Sequence, residues 1–375
     1  MHARNTARHP PGRARLGVVA GLWHAAGTDR SPFRRARHCE FRRGPPGPLV
    51  MTTPMSQSPL ATSHFARSHL GKRPDAVSLL VVVSHLALVL APAYLAAVLG
   101  PTWWLLGCWL WFGLTMNGLL NLMHEAAHCH VFHERGPNDL IGRWLLGPLA
   151  LADFDGYRRR HWDHHRRLGE PDDPKTTYHT DIRGWRALAL AVRCLTLAEA
   201  IAKFLHQTKG DEDAPARGSS PAWMIRVAVF QSLFAGSLLA VAWSTHRADL
   251  RGTLLSAALA YGFVYGYGLA SVTVFAAALR AIAEHQPGPD PAAREGAAAL
   301  RNFRCNPLTR LVLGAYGFAE HATHHLQPGI PYYHLRAATR DLAAADRTMA
   351  PVVGYWSTLW SLAHVAAGTS DAARA

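Results

Sequence analysis

The chain has 375 residues, 49% of them hydrophobic, and its 39 Lys and Arg against 25 Asp and Glu give a formal net charge of +14. This length allows one large domain or two small ones. The composition predicts apolar blocks separated by basic loops, and the lack of a CxxC pair among the five cysteines argues against a cysteine zinc site.

The N-terminal segment, residues 1–70, is predicted to be disordered and basic. Its first fifty residues hold ten arginines against Asp29 and Glu40, and they lack a sustained apolar period. Three explanations stay open: an over-extended start with Met51 as the initiator, a basic tail near anionic lipid, or an organelle-targeting peptide. Because no folded basic face follows this segment, no nucleic-acid partner is expected.

Four apolar runs are long enough to cross a bilayer, which takes about 20 residues. Short links join the first run to the second and the third to the fourth, so we expect two helical hairpins. The predicted fold class is all-α, a multi-pass membrane helical bundle with four transmembrane helices and a cytoplasmic helical cap. The membrane domain is expected over 71–345, followed by a cytoplasmic tail over 346–375. The apolar runs are 77–99, 102–123, 222–243 and 252–279.

The segment 124–221, between the hairpins, contains fourteen Lys and Arg residues. Basic loops stay on the cytoplasmic side, so we expect this segment and both termini to lie there. Residues 140–152 and 185–204 are predicted to be helices, either on the membrane surface or packed in a cytoplasmic cap. His85, within the first run, is expected to bond a neighbouring helix, because an intramembrane ionisable group is costly.

Histidines recur in three short motifs, HEAAH at 124–128, HWDHH at 161–165 and HATHH at 321–325. Residues three or four apart share a helix face, so each motif would present its imidazoles together. Imidazole suits iron, zinc and copper. These eight histidines are too many for one tetrahedral zinc and suit two metal ions.

A different enzyme class also fits the first motif. HEAAH matches HExxH of zinc metalloproteases, in which the two histidines bind zinc and the glutamate is the general base. That alternative leaves HWDHH and HATHH without a purpose. A non-catalytic metal- or haem-binding membrane subunit is a further alternative.

The order HEAAH, HWDHH, HATHH resembles the membrane fatty acid desaturase family, whose hallmark is three histidine boxes of the form HxxxH, HxxHH and HxxHH. The runs GYRRRHWDHHRRLGEPDDP and HHLQPGIPYY also follow the family's pattern, although Gln327 stands where many members have an aromatic residue. The resemblance covers roughly residues 75–345. It implies a non-haem centre of two iron ions that uses O2 as co-substrate to remove two hydrogens from an unactivated acyl chain.

The resemblance implies that the eight box histidines are both metal ligands and catalytic residues. It also implies that His285, in RAIAEHQ, is a further metal ligand. Iron is implied rather than zinc, because zinc has no redox chemistry. The box residues are His124, His128, His161, His164, His165, His321, His324 and His325.

The resemblance further implies a lipid or acyl-CoA substrate at the membrane. The sequence shows no fused haem or iron–sulfur module, so an external electron donor is expected, such as a ferredoxin, a rubredoxin or a cytochrome b5 with its reductase. A lipid hydroxylase, a carotenoid oxygenase or a sphingolipid desaturase would use the same kind of centre, and the sequence leaves these outcomes open.

A metal-bound imidazole needs an acceptor for its other ring nitrogen. Candidates for that role lie close to box histidines in the chain, and they are Asn121, Glu125, Asp163, Glu284 and Glu320. The remaining histidines near the boxes are predicted to be surface or packing residues, and they are His130, His133, His179 and His334.

Overall fold

The computed structural model of the protein describes residues 69–170, 172–175, 180–209, 221–286, 299–345 and 351–364. The predicted N-terminal segment lies almost wholly outside the described residues. His179 and part of the predicted C-terminal tail also lie outside them.

The described chain is mostly helical. The helices are α1 (Asp75–Leu99), α2 (Trp104–Ala127), α3 (Arg135–Ile141), α4 (Gly147–Leu149), α5 (Phe154–Arg166), α6 (Arg186–Leu195), α7 (Ala198–Lys209), α8 (Pro221–Thr245), α9 (Leu250–Ala258), α10 (Val274–His285), α11 (Pro307–Val312), α12 (His321–Leu326), α13 (Tyr332–Ala345) and α14 (Tyr355–His364). The π-helical turns Gly142–Leu146, Leu259–Tyr267 and Leu269–Thr273 join α3 to α4 and α9 to α10, and a 3₁₀ turn, Phe318–Glu320, precedes α12.

Four helices among the described residues are long and apolar enough to cross a membrane, which confirms the predicted bundle. They are α1, α2, α8 and the continuous helix from α9 to α10, with 25, 24, 25 and 36 residues. Two of these spans end at least four residues after the predicted apolar runs. The second continues to Ala127 and the fourth to His285, so each carries predicted metal ligands on its last turn.

Helix α2 is the centre of the packing. Its Phe112, Met116 and Leu119 are fully buried against the neighbouring helices. The ring of His85 on α1 reaches α2, where its Nε2 lies 3.2 Å from the carbonyl oxygen of Thr115. The predicted bond from His85 to a neighbouring helix is therefore confirmed.

A small sheet departs from the all-α prediction. Strand β1 (Asn302–Arg304) pairs in parallel with β2 (Val352–Gly354). Two hydrogen bonds connect Asn302 to Thr323. The Nδ2 of Asn302 donates to Thr323 Oγ1, and the backbone N–H of Thr323 donates to Asn302 Oδ1, both at 3.1 Å. Strands of three residues are too short to show an alternation of apolar and polar residues in the sequence. Strand β1 nevertheless holds the segment that carries the third histidine box, through the bonds of Asn302.

We predict that Gly113→Ala destabilises the bundle. A Cβ at this position would lie 2.3 Å from Cβ of Val272 on the fourth span, so the helices must separate. Overpacking of this kind costs about 1–3 kcal/mol. Thermal unfolding in detergent measures the loss. Gly107→Ala on the same helix is the matched control, because its Cβ would meet no atom within 4 Å; equal melting temperatures for the two variants would contradict the packing.

Candidate metal centre

Each histidine box is held by a different piece of backbone. The first box lies on the last turn of α2, and the second lies on α5, whose Asp153 caps the helix by accepting a hydrogen bond from the backbone N–H of Asp155. The third forms the short helix α12 beside β1. Asn117 and Asn121 of α2 donate side-chain hydrogen bonds to backbone carbonyls in the segment just before the third box.

All nine predicted metal ligands lie in one region of the structure, in two groups, and six of these histidines are buried while three are partly buried. Their ligand atoms form three sets, and within each set these atoms lie within 4.8 Å of one another. The first group, called group A, has five histidines, and group B combines two overlapping sets around His285. Group A is His124, His128, His161, His165 and His324, and group B is His164, His285, His321 and His325 with Glu284.

Nε2 atoms converge inside each group. In group A, His161 Nε2 lies 2.7 Å from His128 Nε2 and 3.0 Å from His165 Nε2. In group B, His321 Nε2 lies 2.8 Å from His285 Nε2 and 3.1 Å from His325 Nε2. Ligand nitrogens about 2.1 Å from one ion are separated by about 3 Å, so these spacings fit donors that share a metal.

The HxxHH spacing divides each box between the two groups. Residues i and i+4 go to the same group, as in His161 with His165 and His321 with His325, while the i+3 residue, His164 or His324, goes to the other. Positions i+3 and i+4 lie on either side of residue i and differ by about 100° around the helix. One HxxHH motif therefore contributes histidines to both groups.

Two carboxylates orient ring nitrogens. His124 Nδ1 lies 2.9 Å from Glu125 Oε1, and His164 Nδ1 lies 2.8 Å from Asp173 Oδ1. The Nε2 atoms of both rings are buried and have no hydrogen-bond partner. A buried polar atom without a partner is costly, so these donors fit a metal ion held in each group.

Burial also sets the protonation state of the ligands. It lowers the pKa of His321 and His324 well below the ordinary value, and neighbouring imidazoles lower the pKa of His324 further. Burial lowers the pKa of His164 as well, against the opposing effect of Asp173. These imidazoles are neutral at neutral pH, which is the form that binds metal.

The predicted orienting residues have mixed outcomes. Glu125 contacts His124 as predicted. Glu284 Oε2 lies 3.6 Å from His321 Nε2. The carboxylate of Glu284 also pairs with Arg280 at 3.2 Å. The prediction was wrong for three residues. Asp163 pairs with Arg166, Glu320 pairs with Arg310, and Asn121 donates to the carbonyl of Ala315.

Three contacts were missed in the sequence. Asp173 lies nine positions after His164 in a loop, and only the acidic pair in GEPDDP signals it. Lys175 Nζ lies 2.8 Å from His285 Nε2, and burial lowers the pKa of Lys175 to about 8. His130, predicted as a surface or packing residue, is buried and bonds Glu125 Oε2 at 3.2 Å.

Two other histidines behave as predicted for the surface. His133 is exposed and pairs with Asp75 at 2.9 Å. His334 bonds the carbonyl of Gly71 at 2.8 Å. Neither takes part in either ligand group.

Comparison with known proteins places this site in a family. The family model described as fatty acid desaturase matches residues 101–358, a range that includes all nine predicted ligands. A short stretch of 56 residues is 34% identical to zeaxanthin 4-ketolase from Chlamydomonas reinhardtii, which is 15% of this chain and 13% of that protein. Because the family match covers well over half of the sequence, the chain belongs to the fatty acid desaturase family.

Proposed function

We propose that the protein is an O2-dependent membrane oxidoreductase that introduces a double bond into a fatty acyl chain at a centre of two iron ions. The observation that carries this proposal is the division of nine buried or partly buried histidines into two groups whose Nε2 atoms converge. Bound there, iron would supply the oxidising power that an unactivated C–H bond requires and that side-chain acids and bases lack.

The chain's own residues prepare this centre. Neutral imidazoles bring ligand atoms without charge, and Glu125 and Asp173 accept hydrogen bonds that hold His124 and His164 in one orientation. Such outer acceptors raise the basicity of the ligand and fix its tautomer. Removing two hydrogens and reducing O2 to two waters consumes two electrons and two protons, so an external donor, a ferredoxin, rubredoxin or cytochrome b5 with its reductase, belongs to the proposal.

The catalytic unit that we propose is residues 71–345, flanked by the basic segment 1–70 and the tail 346–375. The basic segment 124–221 supports a cytoplasmic position for the histidine boxes, with the hairpins entering the membrane from that side. The acyl substrate would then reach the centre from the lipid, as an acyl-CoA or a membrane lipid.

The zinc metalloprotease alternative fits this geometry poorly. Group A contains five histidines, more than a tetrahedral zinc takes. Glu125 accepts hydrogen bonds from His124, His130 and the backbone N–H of Tyr332, so it is engaged as an orienting group rather than directed at a water.

A second candidate is carotenoid oxygenation, favoured by the short match to zeaxanthin 4-ketolase. The two outcomes differ in what replaces the hydrogens. Desaturation leaves a carbon–carbon double bond, whereas ketone formation at a CH2 group replaces two hydrogens by one oxygen and hydroxylation inserts one oxygen.

Mass spectrometry of lipids from a host that expresses the chain tests the proposal. We predict acyl chains that have lost two hydrogens, with no oxygen gained, in a host that also makes carotenoids. Carotenoids that carry a new ketone, with acyl chains unchanged, would replace the first candidate by the second. Identical lipid profiles with and without the chain would overturn both.

A further inference from the structure

Two short helices that follow the fourth span, α11 and α14, carry an exposed apolar surface, which we call the tryptophan face. Its members are Leu308, Leu311, Val352, Trp356 and Trp360. Leu308 is 70% exposed and Trp360 is 67% exposed. Large apolar side chains exposed on one surface mark a place where a protein or a membrane binds. The reaction proposed above assigns no role to this surface.

Helix α14 has a buried face and an exposed face. Its Tyr355 and Leu359 are buried in the same core as Ile282 of the fourth span, whereas Trp356 and Trp360 are exposed. A helix at a water-facing surface carries charged and polar residues on its outer face. Helix α14 contains no Asp, Glu, Lys or Arg, and two large indole rings stand on its outer face. This composition suits an apolar medium.

Trp356 joins the two helices into one surface. Its Nε1 donates a hydrogen bond to Oγ1 of Thr309 at 3.0 Å. Thr309 is buried on α11, where Leu308 and Leu311 are exposed on either side of it. The bond satisfies the polar atom of the indole, so the rest of the ring can lie among apolar groups.

The depth of α11 follows from its contact with the second span. Asn117 Nδ2 donates a hydrogen bond to the carbonyl oxygen of Val312, the last residue of α11, at 2.6 Å. The span begins at Trp104, where Trp103 and Trp104 are both exposed as at a membrane interface. Asn117 lies thirteen residues further on, and a rise of about 1.5 Å per residue places it roughly 20 Å along the span. The hydrocarbon core of a bilayer is about 30 Å thick, so α11 lies at a depth that the bilayer occupies.

We propose that the tryptophan face lies in the lipid of the bilayer leaflet on the side of the histidine boxes, so that α11 and α14 are membrane-bound helices in addition to the four spans. The face continues the exposed apolar surface of the spans, to which Leu106 and Leu110 of the second span belong. Tryptophan is enriched at the boundary between hydrocarbon and headgroups. Helices that lie along this boundary bury their apolar side chains by about 5–10 Å.

This attachment bears on the third histidine box. Strand β2 leads directly into α14 and pairs with β1, whose Asn302 bonds Thr323 within the box. Lipid contact of the tryptophan face therefore holds the segment that carries this box against the bilayer. The membrane-contacting part of the chain then extends past residue 345 to α14. The inference concerns the position of two helices and stands whichever reaction the centre performs.

Photo-crosslinking of the full chain in lipid nanodiscs tests this position. The aromatic side chain of p-benzoylphenylalanine, which reacts with nearby C–H bonds, replaces Trp356 or Trp360 in separate variants. Irradiation should attach phospholipid to both variants, and also to a variant at Leu233, an exposed residue of the third span. The control position is Glu170, an exposed acid in the loop after the second box, which should carry no lipid. Mass spectrometry of the intact chain detects the adducts.

Tryptophan fluorescence gives a second readout without a foreign side chain, because bromine atoms on lipid chains quench an indole that they contact. The emission that Trp360→Phe removes should be weaker in nanodiscs of lipid brominated close to the headgroup than in nanodiscs of unbrominated lipid. Lipid adducts at Leu233 but at neither tryptophan position would overturn the proposal. Crosslinks from Trp356 or Trp360 to a second copy of the chain, or Trp360 emission that brominated lipid leaves unchanged, would overturn it as well.

Discussion

His161→Ala should abolish lipid oxidation and release metal from group A. The Nε2 of His161 lies 2.7 Å from that of His128 and 3.0 Å from that of His165, so it is central among the converging nitrogens. Removing an outer partner of a ligand already costs about 10–100-fold in metal affinity or activity, and removing the ligand itself should exceed that range. Product formation and metal content per chain, measured on the same preparation, report the effect.

The control for this prediction is His133→Ala. His133 lies close to the first box in sequence, but it is exposed and its ring contacts Asp75. This variant should keep its metal and its product. Retention of both by His161→Ala, or equal losses in the two variants, would show that the clustered imidazoles do not form the centre.

Asp173→Asn should weaken metal binding by about 10–100-fold. Asp173 is buried, accepts from His164 Nδ1 at 2.8 Å, and also accepts from the backbone N–H groups of Gly169 and Lys175. The amide keeps the size of the side chain but loses the charge that holds the imidazole. Metal affinity, measured by competition with a chelator, should fall while the helical content of the protein is unchanged.

The adjacent acid provides the matched control. Asp172 is exposed and pairs with Arg167 at 2.5 Å, outside the ligand groups. Asp172→Asn should therefore bind metal as the parent does. If the two neighbouring substitutions have the same effect, Asp173 acts only through the general charge of the loop and does not orient His164.

The four spans and the gathering of the histidines could be predicted from local patterns. A bilayer requires a run of apolar residues of fixed minimum length, and this requirement can be recognised without tertiary information. The residues at which the spanning helices end were less predictable. Apolarity stops at Met123, but Glu125, Ala126 and Ala127 permit the helix to continue, so the first box is an extension of the span.

The partition of the ligands required three-dimensional information. From sequence alone, residues three and four positions apart count as sharing one helix face, so His164 and His165 are both expected beside His161. In the structure His165 lies with His161 in group A, whereas His164 belongs to group B, because the two groups lie on either side of the helix. Sequence neighbours had mixed outcomes as orienting residues, because Glu125 contacts His124 whereas Asp163 and Glu320 pair with arginines. Asp163 is rotated away from the ligands, and the acid that does contact His164 comes from a loop whose path no local pattern specifies.

Metal analysis with iron X-ray absorption on the purified full chain tests whether histidines from separate segments hold two redox-active ions. We expect about two irons per chain and a first coordination shell of nitrogen and oxygen only, at about the 2.1 Å typical of imidazole ligands. A single zinc per chain, or iron bound through sulfur, would contradict this expectation.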